Sequence, residues 1–319
     1  DVYKRQASAY LIQNGYQVDV YEKNDRAGGL MIYGIPNFKL DKKIVERRTE
    51  WLTDSGVVFN LNTEVGKNIS FQDLEKDYDA ILIATGVYKA RQLDIDTSTV
   101  NNSIPALDFL IESNRTGLGD SPSKNKYLTA KDKHVVVIGG GDTAMDCVRT
   151  AIRQQAKEVT CLYRRNKENM PGSAREVLNA EQEGIKFNWL SVPSKIISNS
   201  STATSMTYKV ATLGEVDESG RRKPIDTGVE KQIKSDLIIQ ALGFEPEDLN
   251  HNFKTNIELT SWKTVKVDFK KFQTSNPKIF AAGDIVRGAS LVVWAIHDGR
   301  EVAKSIHNFL QSSKIKKAS

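Results

Sequence analysis

The stretch His134-Val-Val-Val-Ile-Gly-Gly-Gly-Asp-Thr-Ala-Met-Asp146 reads as a buried strand that runs through a glycine turn into a helix. Four β-branched residues precede the glycines, and apolar residues recur at helical spacing after them. Gly139 permits the tight turn, Gly141 lets the backbone approach phosphates, and Ala144 keeps the helix close to the strand. The N–H groups at the helix start attract an anion. The pattern predicts a dinucleotide pyrophosphate site, and the alternative is a simple turn between strand and helix.

The next strand, Glu158-Val-Thr-Cys-Leu-Tyr-Arg-Arg165, indicates which dinucleotide binds. Its end lies roughly twenty residues past the glycines, where an acidic side chain would hold the ribose hydroxyls of NAD. This chain has Arg164 and Arg165 there, and guanidinium groups attract the additional phosphate of NADP. The sequence therefore predicts NADP, and the alternative is a solvated basic turn.

Half of a second unit of this kind lies near the N-terminus. Ala7-Ser-Ala-Tyr-Leu-Ile-Gln-Asn-Gly15 reads as a helix ending at a glycine, and the strand that follows ends at Glu22, where ribose hydroxyls would be held. The first strand and the glycine turn of this unit are missing. In their place stands Asp1-Val-Tyr-Lys-Arg-Gln6, which we interpret as foreign sequence from a cloning or sequencing adapter.

Two matching strands indicate that the chain has two dinucleotide-binding domains. Asp79-Ala-Ile-Leu-Ile-Ala-Thr-Gly86 and Ser235-Asp-Leu-Ile-Ile-Gln-Ala-Leu-Gly243 share an acidic residue, an apolar strand and a glycine end. Each follows one of the two units, which predicts a pair of domains able to relay hydride from nicotinamide to flavin. The glycine-rich loop 27–42 could lie against a flat ligand or be purely structural. Ser173 and Glu176 have the spacing of a capping box at a helix start.

The C-terminal part returns to the first domain. The strand Lys278-Ile-Phe-Ala-Ala-Gly-Asp284 ends at a carboxylate that can accept hydrogen bonds from ribityl or ribose hydroxyls. A helix that starts near Ser290 could stabilise negative charge on a reduced isoalloxazine ring. The alternative is a helix cap with an ordinary core face.

Composition excludes several classes of function. The 319 residues suffice for two domains, and the net charge of +5 is spread along the chain, which argues against nucleic-acid binding. The sequence has no apolar run long enough for a membrane span and no secretory signal, so we expect a cytoplasmic protein. Two separated cysteines and four scattered histidines predict no metal site within this chain. We expect no catalytic side chain, because the cofactors supply the chemistry.

With these elements identified, the chain resembles the small, flavin-bearing subunit of NADPH-dependent glutamate synthase from Ala7 onward. The resemblance rests on four segments: Gly28-Gly-Leu-Met-Ile-Tyr-Gly-Ile-Pro-Asn-Phe-Lys-Leu-Asp-Lys42, Val137-Ile-Gly-Gly-Gly-Asp-Thr-Ala-Met-Asp146, Tyr163-Arg-Arg-Asn-Lys-Glu-Asn-Met-Pro-Gly-Ser-Ala-Arg-Glu176 and Ala281-Ala-Gly-Asp-Ile-Val-Arg-Gly-Ala-Ser-Leu-Val-Val-Trp-Ala-Ile296.

The resemblance implies an α/β fold with two three-layer, Rossmann-like domains, the NADPH domain being inserted into a discontinuous FAD domain. We expect the FAD domain in 1–126, with 94–126 as a connecting segment, the NADPH domain in 127–248, and the rest of the FAD domain in 249–319. Hydride would pass from NADPH to FAD. Electrons would then pass through iron-sulfur clusters, whose ligands lie in an N-terminal domain absent here, to a large subunit that makes glutamate from glutamine and 2-oxoglutarate.

Residues that match the family and the motifs above are the expected cofactor-binding residues. They are Glu22, Gly28, Gly29, Leu30, Gly86, Gly139, Gly140, Gly141, Asp142, Thr143, Arg164, Arg165, Gly243, Gly283, Asp284, Ser290 and Leu291. Two alternatives stay open. One is a related flavin reductase, such as the NADPH module of dihydropyrimidine dehydrogenase or a ferredoxin–NADP reductase, and the other is a non-catalytic NADP-binding fragment.

Overall fold

The computed structural model describes residues 2–216, 220 and 222–318, except for the side chains of 314–318. Its helices are α1 (Val2–Gln13), α2 (Leu30–Tyr33), α3 (Lys42–Asp54), α4 (Phe71–Asp77), α5 (Ala106–Gly117), α6 (Asp142–Arg153), α7 (Ala174–Gln182), α8 (Leu249–Phe253), α9 (Asp284–Arg287) and α10 (Val292–Ala318). Its strands are β1 (Asp19–Tyr21), β2 (Val58–Asn60), β3 (Ile81–Ile83), β4 (Lys89–Ala90), β5 (Ser103–Pro105), β6 (His134–Ile138), β7 (Glu158–Leu162), β8 (Lys186–Asn188), β9 (Ser191–Asn199), β10 (Thr202–Val216), β11 (Arg222–Lys234), β12 (Leu237–Gln240), β13 (Phe244–Glu245) and β14 (Ile279–Ala281).

The chain divides into two compact units. Unit 1 consists of Asp1–Ile32, Leu40–Lys89 and Phe244–Ser319, and unit 2 consists of Tyr33–Lys39 and Ala90–Gly243. Unit 2 is therefore inserted into a discontinuous unit 1, but the division differs from the expected bounds. The expected connecting segment belongs to unit 2, because β5 pairs with β12 and α5 packs near α6.

Unit 2 is built on a parallel sheet of five strands in the order β5-β12-β6-β7-β8. One face of this sheet packs against helices α5, α6 and α7, and the other packs against the antiparallel sheet β11-β10-β9. Alternate residues of β6 point to opposite faces of the sheet. Val137 packs in the core under the helices, and Val136 packs in the core under the antiparallel sheet. The run of β-branched residues is apolar throughout because both faces of its strand are covered. Packing of the three layers holds the carboxyl end of β6 and the start of α6 in place, with the glycine turn between them.

Unit 1 contains two short parallel sheets, β1 with β2 and β3 with β14. Helix α1 packs along α10, where Ala7 meets Val302 and Ile306 in one apolar cluster. Another cluster joins Phe71 of α4 to Ile83 of β3. Among the described residues, no helix combines the length and the apolar character that crossing a bilayer requires.

Helix α1 begins earlier than the sequence indicates. The pattern predicts a helix from Ala7, whereas the structure continues it back to Val2, which is buried together with Tyr3. That the first six residues are foreign stays a prediction, since helical conformation and burial do not reveal the origin of a segment.

Candidate functional site

The glycine turn after β6 has the backbone conformation that the fingerprint predicts. Gly139 has φ +144°, and a Cβ there would collide with the carbonyl oxygen of Ala241. A Cβ at Gly140 would collide with the ring of Tyr163. Glycine is thus required at both positions because neighbouring atoms occupy the space of a side chain.

The third glycine faces open space at the start of α6. No atom lies within 4 Å of a Cβ built on Gly141, and no side chain caps the helix at this residue. The first N–H groups of α6 are therefore available to an anion, and the helix dipole favours negative charge there. Asp142 and Thr143 form the first turn, where a carboxylate oxygen of Asp142 accepts a hydrogen bond of 2.9 Å from the Ser173 amide. This arrangement fits a phosphate group.

The prediction of a capping box from Ser173 and Glu176 at the start of α7 is wrong. Ser173 precedes α7, but its side chain makes no capping hydrogen bond. The carboxylate of Glu176 instead forms ion pairs of 2.7 Å with Lys39 and Arg149. Lys39 and Arg149 compete successfully for the carboxylate, since each adds a full positive charge that a backbone amide lacks.

The two arginines after β7 have different surroundings. Arg164 is exposed, whereas Arg165 is 6% exposed and donates from Nε to the Arg222 carbonyl oxygen at 2.7 Å. Because β7 pairs in parallel with β6, this turn and the glycine turn lie at the same sheet edge. Gly243, with φ +88°, follows β12 at that edge and accepts a hydrogen bond from the Arg91 amide.

In unit 1, Glu22 lies just after β1 and is 7% exposed. One carboxylate oxygen forms a 2.9 Å ion pair with Lys4, and the other accepts hydrogen bonds from the backbone and side chain of Asn24. Burial raises the pKa of the Glu22 carboxyl, but the Lys4 ammonium and the Asn24 amide outweigh it, so the pKa is lowered overall. Glu22 is an ionised acceptor of the kind that binds ribose hydroxyls.

Asp284 lies three residues after the end of β14, and Gly283 before it has φ +86°. The same oxygen of Asp284 accepts hydrogen bonds from the Tyr3 hydroxyl at 2.6 Å and from the Ser290 hydroxyl at 2.7 Å. The Tyr3 ring lies where a Cβ on Gly283 would be. Leu291, the next residue of the predicted site, is 61% exposed. The carboxylate and its donors fit a hydroxyl-bearing ligand only if Tyr3 gives way.

Tyr88 lies among the acidic residues of unit 1, and sequence reasoning missed it. Burial raises its pKa, and the negative charges of Glu22, Asp284 and Glu247 raise it further. A Cβ on Gly86, with φ +77°, would meet the same ring. No local pattern marks Tyr88, because the acidic residues around it come from distant parts of the chain.

The predicted flavin loop is divided between the two units. Gly28 and Gly29 have positive φ and are buried in unit 1, with Leu30 opening α2. The following seven residues belong to unit 2, where Lys39 pairs with Asp146 at 2.7 Å. The interpretation of 27–42 as one ligand-facing loop therefore needs correction, since its second half is bound to helices of unit 2.

Lys4 and Tyr3 are further residues that sequence reasoning missed, because the segment that contains them was taken as foreign. Within the described part of the chain, no group of three or more His, Cys, Asp or Glu side chains is placed to hold a metal ion.

Comparison with known proteins identifies the family. The pyridine nucleotide-disulphide oxidoreductase family matches residues 6–299. The glutamate synthase [NADPH] small chain of Azospirillum brasilense is 49% identical over 96% of this chain, which spans 64% of that protein. A putative glutamate synthase [NADPH] small chain of Cereibacter sphaeroides is 51% identical over 95% of this chain and 74% of its own length. A solved structure of FprA from Mycobacterium tuberculosis superposes with a TM-score of 0.80 at 18% identity, covering 99% of this chain and 84% of that one. The chain therefore belongs to the pyridine nucleotide-disulphide oxidoreductase family and has its two-domain α/β fold.

Proposed function

We propose that this chain is the electron-input part of an NADPH-dependent glutamate synthase, an oxidoreductase that takes hydride from NADPH with the help of FAD. The observation that carries the proposal is the open glycine turn at the start of α6, with arginines and no acidic residue at the end of the adjacent strand. Two relatives at about half identity bear the name glutamate synthase [NADPH] small chain, which supports this choice over other reductases of the same fold.

In unit 2, the chain's own groups bind and orient NADPH. The N–H groups after Gly141 would hold the pyrophosphate, and Arg164 would hold the phosphate on the adenosine ribose. A guanidinium supplies two parallel donors to a phosphate, whereas a ribose hydroxyl would gain little from it. The side chain at this position therefore selects NADPH over NADH.

In unit 1, Glu22 and Asp284 would accept hydrogen bonds from the ribose and ribityl hydroxyls of FAD. FAD, when bound, accepts two electrons as a hydride and releases them singly. Gly28 and Gly29 belong to the loop expected beside the flavin, and a Cβ on Gly28 would collide with Ile32, so glycine is needed there for packing within unit 1. The residues present fit the hydroxyl groups of FAD, while Lys4 and Tyr3 must release the two carboxylates.

The remaining steps concern a larger assembly. Electrons would leave through iron-sulfur clusters held outside this chain to a large subunit that makes glutamate from glutamine and 2-oxoglutarate. The relatives' names support this partner, and a cytoplasmic location goes with it. Both stay predictions.

An anaerobic titration of the FAD-reconstituted chain tests the proposal. Flavin absorbance is followed while NADPH is added, and then NADH in a separate sample. We expect NADPH to bleach the flavin at a concentration at least tenfold lower than NADH, because one charge-assisted contact is worth about 1.5–3 kcal/mol.

Two results would contradict the proposal in different ways. A yellow protein that neither nucleotide bleaches would show that hydride does not pass from NADPH or NADH to the flavin. A protein that binds NADPH but stays colourless after incubation with FAD would favour the non-catalytic NADP-binding alternative.

A further inference from the structure

The segment 166–173, here the clamp segment, joins the two parts of the proposed NADPH site in unit 2. It begins directly after Arg165, beyond the end of β7, and it ends at Ser173, which precedes α7. On the way it returns to the glycine turn that separates β6 from α6. The arginines and the pyrophosphate turn are therefore connected by one short stretch of chain whose contacts can influence both.

Two hydrogen bonds attach the clamp segment to the glycine turn. The Gly172 amide donates to the Gly140 carbonyl oxygen at 2.9 Å. The Ser173 amide donates to a carboxylate oxygen of Asp142 at 2.9 Å. A Cβ on Gly172 would lie 3.0 Å from the Gly140 oxygen and 3.4 Å from the Gly141 carbonyl carbon. A side chain at this position would push the two backbones apart, so their close approach depends on glycine.

Tyr163 holds the middle of the clamp segment. Its ring lies where a Cβ on Gly140 would be, and its hydroxyl donates to the Asn169 carbonyl oxygen at 2.8 Å. The segment also bonds to itself, because the Asn169 side-chain amide donates to the Asn166 side chain at 2.6 Å. Since Tyr163 is only 5% exposed, one buried side chain contacts both the turn and the segment that covers it.

Charge alone disfavours Asp142 at this place. It is the first residue of α6, so its carboxylate lies close to the amides proposed to hold the pyrophosphate, and a negative group there repels phosphates. An acidic residue in the first turn stabilises the helix itself, but that effect requires no bond to another segment. The bond from the Ser173 amide is therefore the contact that points to a role of Asp142 in shaping the site.

We propose that Asp142 is a positioning residue which, together with Tyr163, holds the clamp segment against the glycine turn and so fixes the turn in its phosphate-binding conformation. This inference rests on the proposed NADPH site. A turn that is fixed before the nucleotide arrives does not have to be ordered on binding, so affinity is higher. The pyrophosphate is common to NADPH and NADH, so the clamp segment contributes equally to both, whereas Arg164 distinguishes them.

Two substitutions of Asp142 test this role. Asp142→Ala removes the charge and the acceptor together, whereas Asp142→Asn removes the charge but keeps an oxygen that can accept from the Ser173 amide. Calorimetric titration gives the affinity for each nucleotide, and hydrogen exchange is measured at the Ser173 amide without nucleotide. We expect Asp142→Ala to weaken NADPH and NADH binding by the same factor, about 3- to 10-fold, and to speed the exchange about tenfold or more. Asp142→Asn should bind both nucleotides at least as tightly as the parent and keep the amide protected.

The order of the three affinities decides between the explanations. If Asp142 acted only through its charge, Asp142→Ala would relieve repulsion and bind both nucleotides more tightly than the parent. If its carboxylate contacted the nucleotide directly, affinity would fall while the exchange of the Ser173 amide stayed the same. Either result overturns the proposal.

Tyr163→Phe provides a second route if Asp142→Ala does not fold. It keeps the ring beside Gly140 and removes the bond to the Asn169 carbonyl, so it should speed exchange across the clamp segment and weaken both nucleotides equally. The matched control is Glu168→Ala, which removes an exposed carboxylate from the same segment and should change neither quantity. A loss confined to one nucleotide, or faster exchange with unchanged affinity, overturns the proposal. Failure of the parent chain to bind either nucleotide is a different result, because it would contradict the proposed function itself.

Discussion

Arg164 and Arg165 are adjacent in sequence, yet we predict that only the first reads the NADP phosphate. Arg164 is exposed, and Arg165 is buried with its Nε bonded to the carbonyl of Arg222. Arg164→Ala should weaken NADPH binding by about 10- to 100-fold, the worth of one charge-assisted contact, and leave NADH binding unchanged. Calorimetric titration with each nucleotide measures both constants.

Two variants serve as controls for this prediction. Lys167→Ala removes a neighbouring cation that is ion-paired to Glu181, so it should not change the ratio of the two constants. Arg165→Ala should lower Tm, because it removes a buried side chain together with its hydrogen bond to the Arg222 carbonyl. Equal losses for both nucleotides in Arg164→Ala would show that the guanidinium does not contact the phosphate.

Tyr3 is expected to compete with FAD for Asp284. Its hydroxyl donates to the carboxylate at 2.6 Å. Tyr3→Phe keeps the ring and removes this bond, so we expect FAD to bind about 2- to 10-fold more tightly, from a hydrogen bond of about 0.5–1.5 kcal/mol. Quenching of FAD fluorescence gives the Kd. Tyr10→Phe on the same helix should have no effect, and a weaker FAD complex in Tyr3→Phe would refute the competition.

At the scale of elements, a methyl group should destabilise the first end of the glycine turn much more than the second. Gly139→Ala places a Cβ against the Ala241 carbonyl at φ +144°, so we expect a large loss of Tm. Gly141→Ala meets open space at φ −90°, so the fold should be kept with a loss of about 1 kcal/mol at most.

Binding separates these variants further. Because the Gly141 methyl would occupy the space in front of the first α6 amides, it should weaken NADPH binding despite the intact fold. Thermal denaturation and nucleotide titration of the same sample decide this. A Gly141→Ala protein with unchanged NADPH affinity would place the phosphate elsewhere.

Helices α6 and α7 are joined by Glu183, which pairs with Arg149 and Arg153 at 2.7 Å. Burial raises the pKa of its carboxyl, but the two guanidinium groups dominate and lower it to about 2. A pKa below the unfolded value means that the ionised form stabilises the fold above about pH 4.3 and that this stabilisation disappears as pH falls toward 2.

Glu183→Gln should therefore lower the free energy of unfolding by about 1–3 kcal/mol at pH 7 and by progressively less below pH 4. Urea denaturation at pH 7, 4 and 2.5 measures the difference. Glu181→Gln, which breaks an exposed pair with Lys167, should cost under about 1 kcal/mol. A difference between Glu183→Gln and the parent that does not shrink with acid would contradict the lowered pKa.

At the scale of the whole molecule, the two units should respond separately to nucleotide. A ligand stabilises the structure that binds it by about 2.7 kcal/mol at 100 times its Kd. NADPH should accordingly slow hydrogen exchange in β6 and α6, with little change in β1 and β2 of unit 1. Protection confined to unit 1 would reverse the assignment of the nucleotide site.

The sequence predicted the elements whose signal is local. The strand β6, the turn at Gly139 and the helix α6 follow one another within a few residues, so periodicity and glycine placement sufficed to find them. The strand β1, which is followed by the acidic residue Glu22, was found for the same reason. Finding such patterns twice predicted two dinucleotide-binding units, and the family resemblance implied that one is inserted in the other.

Features that depend on distant partners escaped prediction. Lys39 pairs with Asp146 across 107 residues of sequence, and that approach exists only in the folded chain. The burial of Arg165 depends in the same way on the Arg222 carbonyl. Glu176 was taken for a capping residue because its true cationic partners, Lys39 and Arg149, were invisible to local spacing.

The short segment Tyr33–Lys39 limits how unit 2 of this protein can be exchanged with that of a relative. Although 90–243 looks like an exchangeable cassette, unit 2 also needs seven residues from another part of the chain. Burial raises the pKa of Asp146, and the Lys39 ammonium is the cation that opposes this. A chimaera made by transplanting 90–243 alone would leave Asp146 without that cation and Arg153 without the Phe38 ring, 3.9 Å away. Gene fusions, natural or designed, must therefore bring both pieces from the same parent.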